Sequence, residues 1–260
     1  MQLEDKNAVV YGGGGKVGGA VARAFAREGA RVFLVGRTLG PLEAVAEEIR
    51  SAGGTAEAAQ VDALDERSVE EHAGSVAGEV GGIDVSFNAI GVDHDQLIPL
   101  LEMPPEDFIR PVSGYAMTQL LTARAAGRRM AERGSGVILT LSSSAVHPPS
   151  GSEVYYVGGF GVACVAIEAL TKQLAAELGP HGVRVVCLRP EGMPDSWEGQ
   201  STEGWSAPTE EIEAALKARS VLGRATMLAD VGNAAAFLAS DKASATTGTV
   251  FNLTSGTVID

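Results

Sequence analysis

The sequence predicts one α/β domain, a doubly wound, seven-stranded parallel sheet with helices on both faces. Three observations point there. β-Branched apolar runs alternate with segments of helical period along the whole chain, glycines follow the helical segments, and a glycine-rich turn joins the first run to the first helix. Strand-helix-strand alternation builds right-handed crossovers, which require a parallel sheet covered on both sides. With 260 residues, 45% hydrophobic composition and 33 glycines, residues 1–260 suit one large core rather than two.

The elements follow in order. Lys6–Tyr11 reads as a short apolar strand, and Val17–Glu28 as an amphipathic helix with Ala20, Val21, Ala24 and Phe25 on its apolar side. Arg31–Val35 is the second strand, Pro41–Ala52 the second helix, Thr55–Val61 the third strand and Ser68–Val80 the third helix. Ile83–Asn88 then pairs with a helix over Tyr115–Arg133, Gly136–Leu141 with Phe160–Leu178, and Val183–Leu188 with Leu228–Ala239; Thr249–Leu253 is the last strand. Gly29, Gly53-Gly54, Gly81-Gly82, Gly134 and Gly182 fall after helices, where a left-handed cap or turn is needed. One long irregular stretch, Pro190–Pro208, is placed to cover a ligand; Trp197 and Trp205 within it are either lid anchors or ordinary packing residues.

Composition narrows the function. A formal charge of −13 repels phosphate backbones and anionic membrane surfaces, so neither nucleic acid nor a membrane is the expected partner. Cys164 and Cys187 lie in apolar stretches and read as small buried thiols, and His72, His94, His147 and His181 lack ligand-like spacing, so no metal site is expected. The N-terminal stretch has no apolar core of a secretion signal, and no uninterrupted apolar run approaches the roughly 18 residues that span a bilayer. A cytoplasmic protein acting on a small molecule is expected.

The strongest motif is NAVVYGGGGKVGGAVARAFAREGARVFLVGRT, which runs strand, glycine turn, helix, strand. Glycines let the backbone approach a pyrophosphate, whose charge meets free N–H groups and the positive end of a helix. Gly12, Gly14, Gly15, Val17 and Gly18 form this cradle; Lys16 either reaches a cofactor phosphate or is solvated. At the end of the second strand Gly36-Arg37-Thr38 carries no acid to hold ribose hydroxyls, and Arg37 can instead grip a 2′-phosphate. NADP(H) is therefore expected over NAD(H).

On these residues the chain resembles the short-chain dehydrogenase/reductase family. Its turn is similar to the family's T-G-x-x-x-G-x-G pattern, with Tyr11 in place of Thr and Lys16 in place of the middle glycine; Gly12, Gly15 and Gly18 also fit T-G-x-x-G-x-x-G. Asp62 beside Ala63 resembles the family's adenine-contacting acid, Asn88-Ala89-Ile90-Gly91 resembles N-N-A-G, and residues 222–256 resemble the family's closing helix, strand and turn. The resemblance implies a Rossmann-like fold, adds Pro190 and Gly192 to the cofactor-binding set, and implies a homodimer or homotetramer through the two long helices flanking the fifth strand. Ala116, Leu120, Ala123 and Ala126, with Ala163, Ile167 and Leu174, give those helices small apolar faces that suit either a partner or the chain's own sheet.

The family's catalytic set is Ser, Tyr, a Lys four residues after the Tyr, and Asn. The phenol donates a proton as hydride arrives, the ammonium lowers the phenol pKa, and the hydroxyl fixes the carbonyl oxygen. Anchored on EALTKQLAAELGPHGVRVVCLRPEG, the Tyr place holds Phe160, the Lys place Cys164 and the Asn place Tyr115, a slip of one or two residues giving Gly114 or Ser113. The serine is kept, with Ser143 the best match. Tyr156, four residues before Phe160, is a substitute acid if the helix begins a turn early, or a packing residue together with Tyr155; His147 is a weaker candidate. Three functions fit: an NADP(H)-dependent oxidoreductase on a carbonyl or alcohol with a non-standard proton relay, placed first; a nucleotide-binding scaffold without hydride transfer; and a non-redox cyclase or isomerase.

Overall fold

The computed structural model describes residues 1–148, 156–198 and 208–260. Seven parallel strands, β1 (Asn7–Tyr11), β2 (Arg31–Gly36), β3 (Thr55–Gln60), β4 (Val85–Asn88), β5 (Gly136–Leu141), β6 (Val183–Pro190) and β7 (Thr249–Leu253), form one sheet in the order β3-β2-β1-β4-β5-β6-β7. The chain runs outward from β1 to one edge, returns, and runs outward from β4 to the other. The gap between the carboxyl ends of β1 and β4 is therefore the place where two sets of loops diverge, the usual seat of a ligand in such sheets.

Strand periodicity divides the core in two. Ala8, Val10, Val32 and Leu34 face one side and pack on α1 (Lys16–Arg27) and α2 (Leu39–Ser51). Val9, Tyr11, Phe33 and Val35 face the other and meet α3 (Glu66–Val80), α4 (Pro105–Arg133) and α5 (Gly158–Leu178). Between α5 and the final strand come the short α6 (Pro194–Trp197), α7 (Thr209–Arg219) and α8 (Leu228–Ala239). The first helix packs on the last: a Cβ on Gly232 of α8 would lie 3.0 Å from the Ala20 carbonyl oxygen of α1, so the two helices cross almost backbone to backbone.

Two expectations need correction, and one helix bears on membrane crossing. Helix α4 begins at Pro105, ten residues before the expected Tyr115, because Pro105 sits at the helix start, where no N–H is needed, and Glu106 and Asp107 complement the dipole there. Pro111 then continues inside the helix. The stretch after β6 is less irregular than expected, since β6 itself runs to Pro190 and residues 194–197 form α6; residues 199–207, with Trp205, lie outside the described residues. Finally, Gly158–His181 is long and apolar enough to cross a membrane by length and composition, with mean hydropathy 1.2. Here Ala163, Cys164, Ile167, Thr171 and Leu174 of that helix are buried in the fold.

Candidate nucleotide and active site

The glycine turn is fixed by backbone contacts. Gly12 N–H donates to the Val35 carbonyl at 2.7 Å, and Gly15 N–H to that of Gly12 at 3.0 Å. Two of the glycines are steric requirements: Gly12 has φ +76°, with a Cβ there only 2.6 Å from the Ala89 oxygen, and a Cβ on Gly18 would lie 2.2 Å from the Gly12 oxygen. Helix α1 starts after Gly15 with no side chain capping it and no acid in its first turn. Its first amides and the helix dipole thus present an open anion cradle.

A cleft of about 440 Å³ leads from this turn across the carboxyl ends of β2, β3 and β4. It brings together Gly12, Gly14, Gly15, Arg37, Thr38, Asp62, Ala63, Ala89 and Gly91, all expected from the sequence, and adds Pro41, Leu64, Val92 and Arg110, which were not. Among the described residues the Arg37 guanidinium makes no ion pair, while the Arg37 carbonyl accepts from Gln60 at 2.9 Å. Asp62 is exposed, its carboxylate accepting the Leu64 N–H at 3.0 Å. This set fits a dinucleotide: a bare cradle for the diphosphate, an unpaired guanidinium and a carboxylate for the adenosine end.

Other expected residues sit differently. Lys16 is exposed at the start of α1 and is not part of the cleft wall, and Val17 packs beneath it on the core. Tyr11 is buried under the turn, its hydroxyl without a partner and its pKa pushed up by burial. Asn88 does not line the cleft: its amide donates to the Thr118 carbonyl and the Thr122 hydroxyl, and it accepts the Ile90 N–H, so it pins α4 to the end of β4. Pro190 is buried at the end of β6, and Gly192 lies under the Trp197 ring, to which a Cβ would come within 3.3 Å. A larger hollow of about 690 Å³ near Leu222, Asn252 and Ile259 is lined by none of the residues expected to bind the cofactor or act in catalysis.

Beyond the cleft lie the three serines that follow β5. Ser142 donates to Glu168 at 2.9 Å and Ser144 donates to Glu191. Among the described residues the Ser143 hydroxyl only accepts the Ala145 N–H, at 3.3 Å, which leaves its own proton available to an oxygen acceptor. The carboxylates behind these serines were not foreseen. Glu191, 5% exposed, also accepts from Gly192 N–H and the Thr257 hydroxyl; Glu168 accepts from Arg189 at 2.9 Å, and Arg189 in turn forks onto Asp260 at 2.7 and 3.0 Å. Burial opposes the Arg189 charge, but its carboxylate partners outweigh it and raise its pKa.

Phe160 stands in an aromatic cluster. The His94 ring stacks on it at 4.5 Å between centroids and 13° between planes, and Tyr115 packs against both at 5.5 and 6.0 Å. Of the three candidates for the Asn place, Tyr115 is the one in the cluster: Ser113 bonds back to its own helix, and Gly114 makes room for Val92. Cys164 is buried one turn further along α5, and burial pushes its thiol up to about 12, so it stays protonated at neutral pH. Tyr156 does not gain helical register with Phe160, because α5 starts only at Gly158, whose φ of +50° turns the chain just before the helix. Tyr155 lies outside the described residues. No cluster of three metal-ligating side chains occurs among the described residues.

Comparison with known proteins now decides the family. A family profile described as enoyl-(acyl carrier protein) reductase matches residues 15–257. The chain belongs to the short-chain dehydrogenase/reductase family. It is 32% identical to the D-threitol dehydrogenase of Mycolicibacterium smegmatis over 95% of this chain and 91% of that one. It is also 32% identical to the 3alpha-hydroxysteroid dehydrogenase of Mediterraneibacter gnavus, over 97% of both. Among solved structures, NAD+-bound xylitol dehydrogenase superposes with a TM-score of 0.85 at 25% identity, covering 97% of this chain and 98% of that one. A short-chain type dehydrogenase/reductase from Mycobacterium marinum superposes at 0.86 and 29%, covering 100% and 98%. This short-chain dehydrogenase/reductase is accordingly an oxidoreductase of the type that acts on alcohols and carbonyls.

Proposed function

We propose that the chain is a cytoplasmic, NADP(H)-dependent oxidoreductase that interconverts a small alcohol and its carbonyl through a non-standard proton relay. The observation that carries the cofactor choice is the unpaired Arg37 guanidinium at the end of β2, facing a cleft with no carboxylate on that strand. A 2′-phosphate would gain charge-assisted hydrogen bonds there, whereas a bare ribose would gain none. The amides of Lys16, Val17 and Gly18 bind the diphosphate, Asp62 and Ala63 border the adenine, and Ser143 holds the carbonyl oxygen. When bound, the dinucleotide supplies the hydride chemistry that side chains lack. The exposed apolar residues Ile109, Met117, Val162 and Val165 on α4 and α5 support a homodimer or homotetramer; Ala123, Ala126, Ala163, Ile167 and Leu174, the alternative faces, are buried in the chain's own core.

One feature favours a second reading, an NADP(H)-binding protein without hydride transfer: Phe160 has no hydroxyl to give a proton and Cys164 has no ammonium. A fluorescence titration with NADPH tests the cofactor; absence of binding sinks both readings. A Phe160→Tyr/Cys164→Lys double variant tests the chemistry. If ketone reduction appears only in the variant, the parent is the binding protein; if the parent already reduces ketones, the oxidoreductase reading stands.

A further inference from the structure

Resting on the oxidoreductase reading, we propose that the imidazole of His94 is the catalytic acid-base group that exchanges the proton with the substrate oxygen. Its ring lies flat on Phe160, 4.5 Å away, beside the place where the resemblance puts the family's phenol, and Tyr115 closes the other side. Because the Val92 carbonyl can only accept, its 2.7 Å contact makes Nδ1 the protonated nitrogen and leaves Nε2 as the working one. Nε2 meets the amide of Gln96, an exposed side chain, at 2.8 Å.

The loop that carries His94 is tethered. Val92 packs into the gap left by Gly114, Leu97 N–H donates to the Tyr156 carbonyl at 2.6 Å with Leu97 held at φ +66°, and Arg110 on α4 pairs with Asp95 at 3.0 Å and Asp93 at 3.5 Å. A bulky residue held in the left-handed region indicates a loop position fixed by its surroundings rather than by local preference. The competing groups are poorly suited. Burial raises the Tyr115 phenol, the Cys164 thiol is neutral, and His147 is half-exposed beside Asp260.

The balance is simple. The carbonyl carbon would accept a hydride from a bound dihydronicotinamide, and the carbonyl oxygen would accept the Nε2 proton of the imidazolium form of His94, whose Nδ1 proton stays on the Val92 carbonyl. The C=O π bond breaks, C–H and O–H bonds form, the nicotinamide is oxidised, and solvent reprotonates the imidazole.

The test uses the full chain, His94→Gln and a His181→Gln control, with NADPH and two probe ketones, acetophenone and the ketose formed from D-threitol. NADPH affinity is expected to stay within threefold in both variants. His94→Gln lowers kcat about 100-fold with little change in KM, while the control does not. In parallel, 15N NMR of the imidazoles is expected to show the His94 signals, identified by their loss in His94→Gln, shifting when NADP+ saturates the protein. His94→Gln turnover within threefold of the parent, or His94 signals unmoved by NADP+, overturns the proposal. A parent that binds NADPH but reduces neither ketone overturns it too and leaves the cofactor assignment standing; a parent that does not bind NADPH defeats both.

Discussion

Arg37 shows how one unpartnered charge sets a preference. A charge-assisted hydrogen bond contributes about 1.5–3 kcal/mol, so Arg37→Glu is expected to weaken NADPH binding by roughly 10- to 100-fold while leaving NADH binding nearly unchanged. Parallel titrations of the two dinucleotides check this, and an equal loss for both would sink the assignment. Asp260 makes the complementary case beside Arg189. Its carboxyl is held below the usual range by hydrogen bonding to Arg189, so its contribution to stability is complete above the unfolded aspartate value of about 3.9 and is lost as pH falls through the lower folded value. The denaturation midpoints of the parent and Asp260→Asn should therefore differ by a constant amount from pH 7 to 5 and converge in stronger acid. Arg37, Asp62 and the glycines could be read from the sequence because their chemistry depends on neighbours a few positions away. Glu191, Glu168 and His94 could not, since the side-chain partners of Glu191 and Glu168 lie 21 to 66 residues off and His94 gains meaning only from its stack with Phe160.

At the scale of elements, hydrophobic period located all seven strands, to within two residues of their observed limits at both ends. It failed where a rule has two senses. Proline breaks most helices, yet it is welcome at a helix start, where Pro105 sits, and Pro111 continues inside the helix, buried against the neighbouring one. Helix α7 was missed because its first turn is polar and its one buried residue is Leu216, too few for a periodic signal. The contact between α4 and α5 is the closest of its kind here, since a Cβ on Gly159 would lie 2.0 Å from the Phe108 carbonyl oxygen. Gly159→Ala is expected to cost about 1–3 kcal/mol by forcing these helices apart. Chemical denaturation measures it; a neutral result would mean the two helices yield without strain. Because Phe160 follows directly, the same substitution should also disturb NADPH-dependent turnover.

At the scale of the molecule, the parallel order of the sheet gathers residues 12 to 15, 36 to 38, 61 to 64 and 89 to 93 into a single cleft. The exposed side of α4 and α5 remains apolar, with Val165 52% exposed and Ile109 likewise. Val165→Glu is expected to shift the protein toward monomer in light scattering at micromolar concentration, without loss of helicity; an unchanged mass would remove these helices from the assembly. The contact between α1 and α8 has a different bearing, on how the polypeptide emerges from the ribosome. The helix that opens at the glycine turn is translated among the first thirty residues, but its buttress near Gly232 arrives some two hundred residues later. Chains stopped before that point are expected to leave the apolar flank of the first helix uncovered, which stronger binding of a hydrophobic dye to a chain truncated before the eighth helix would check.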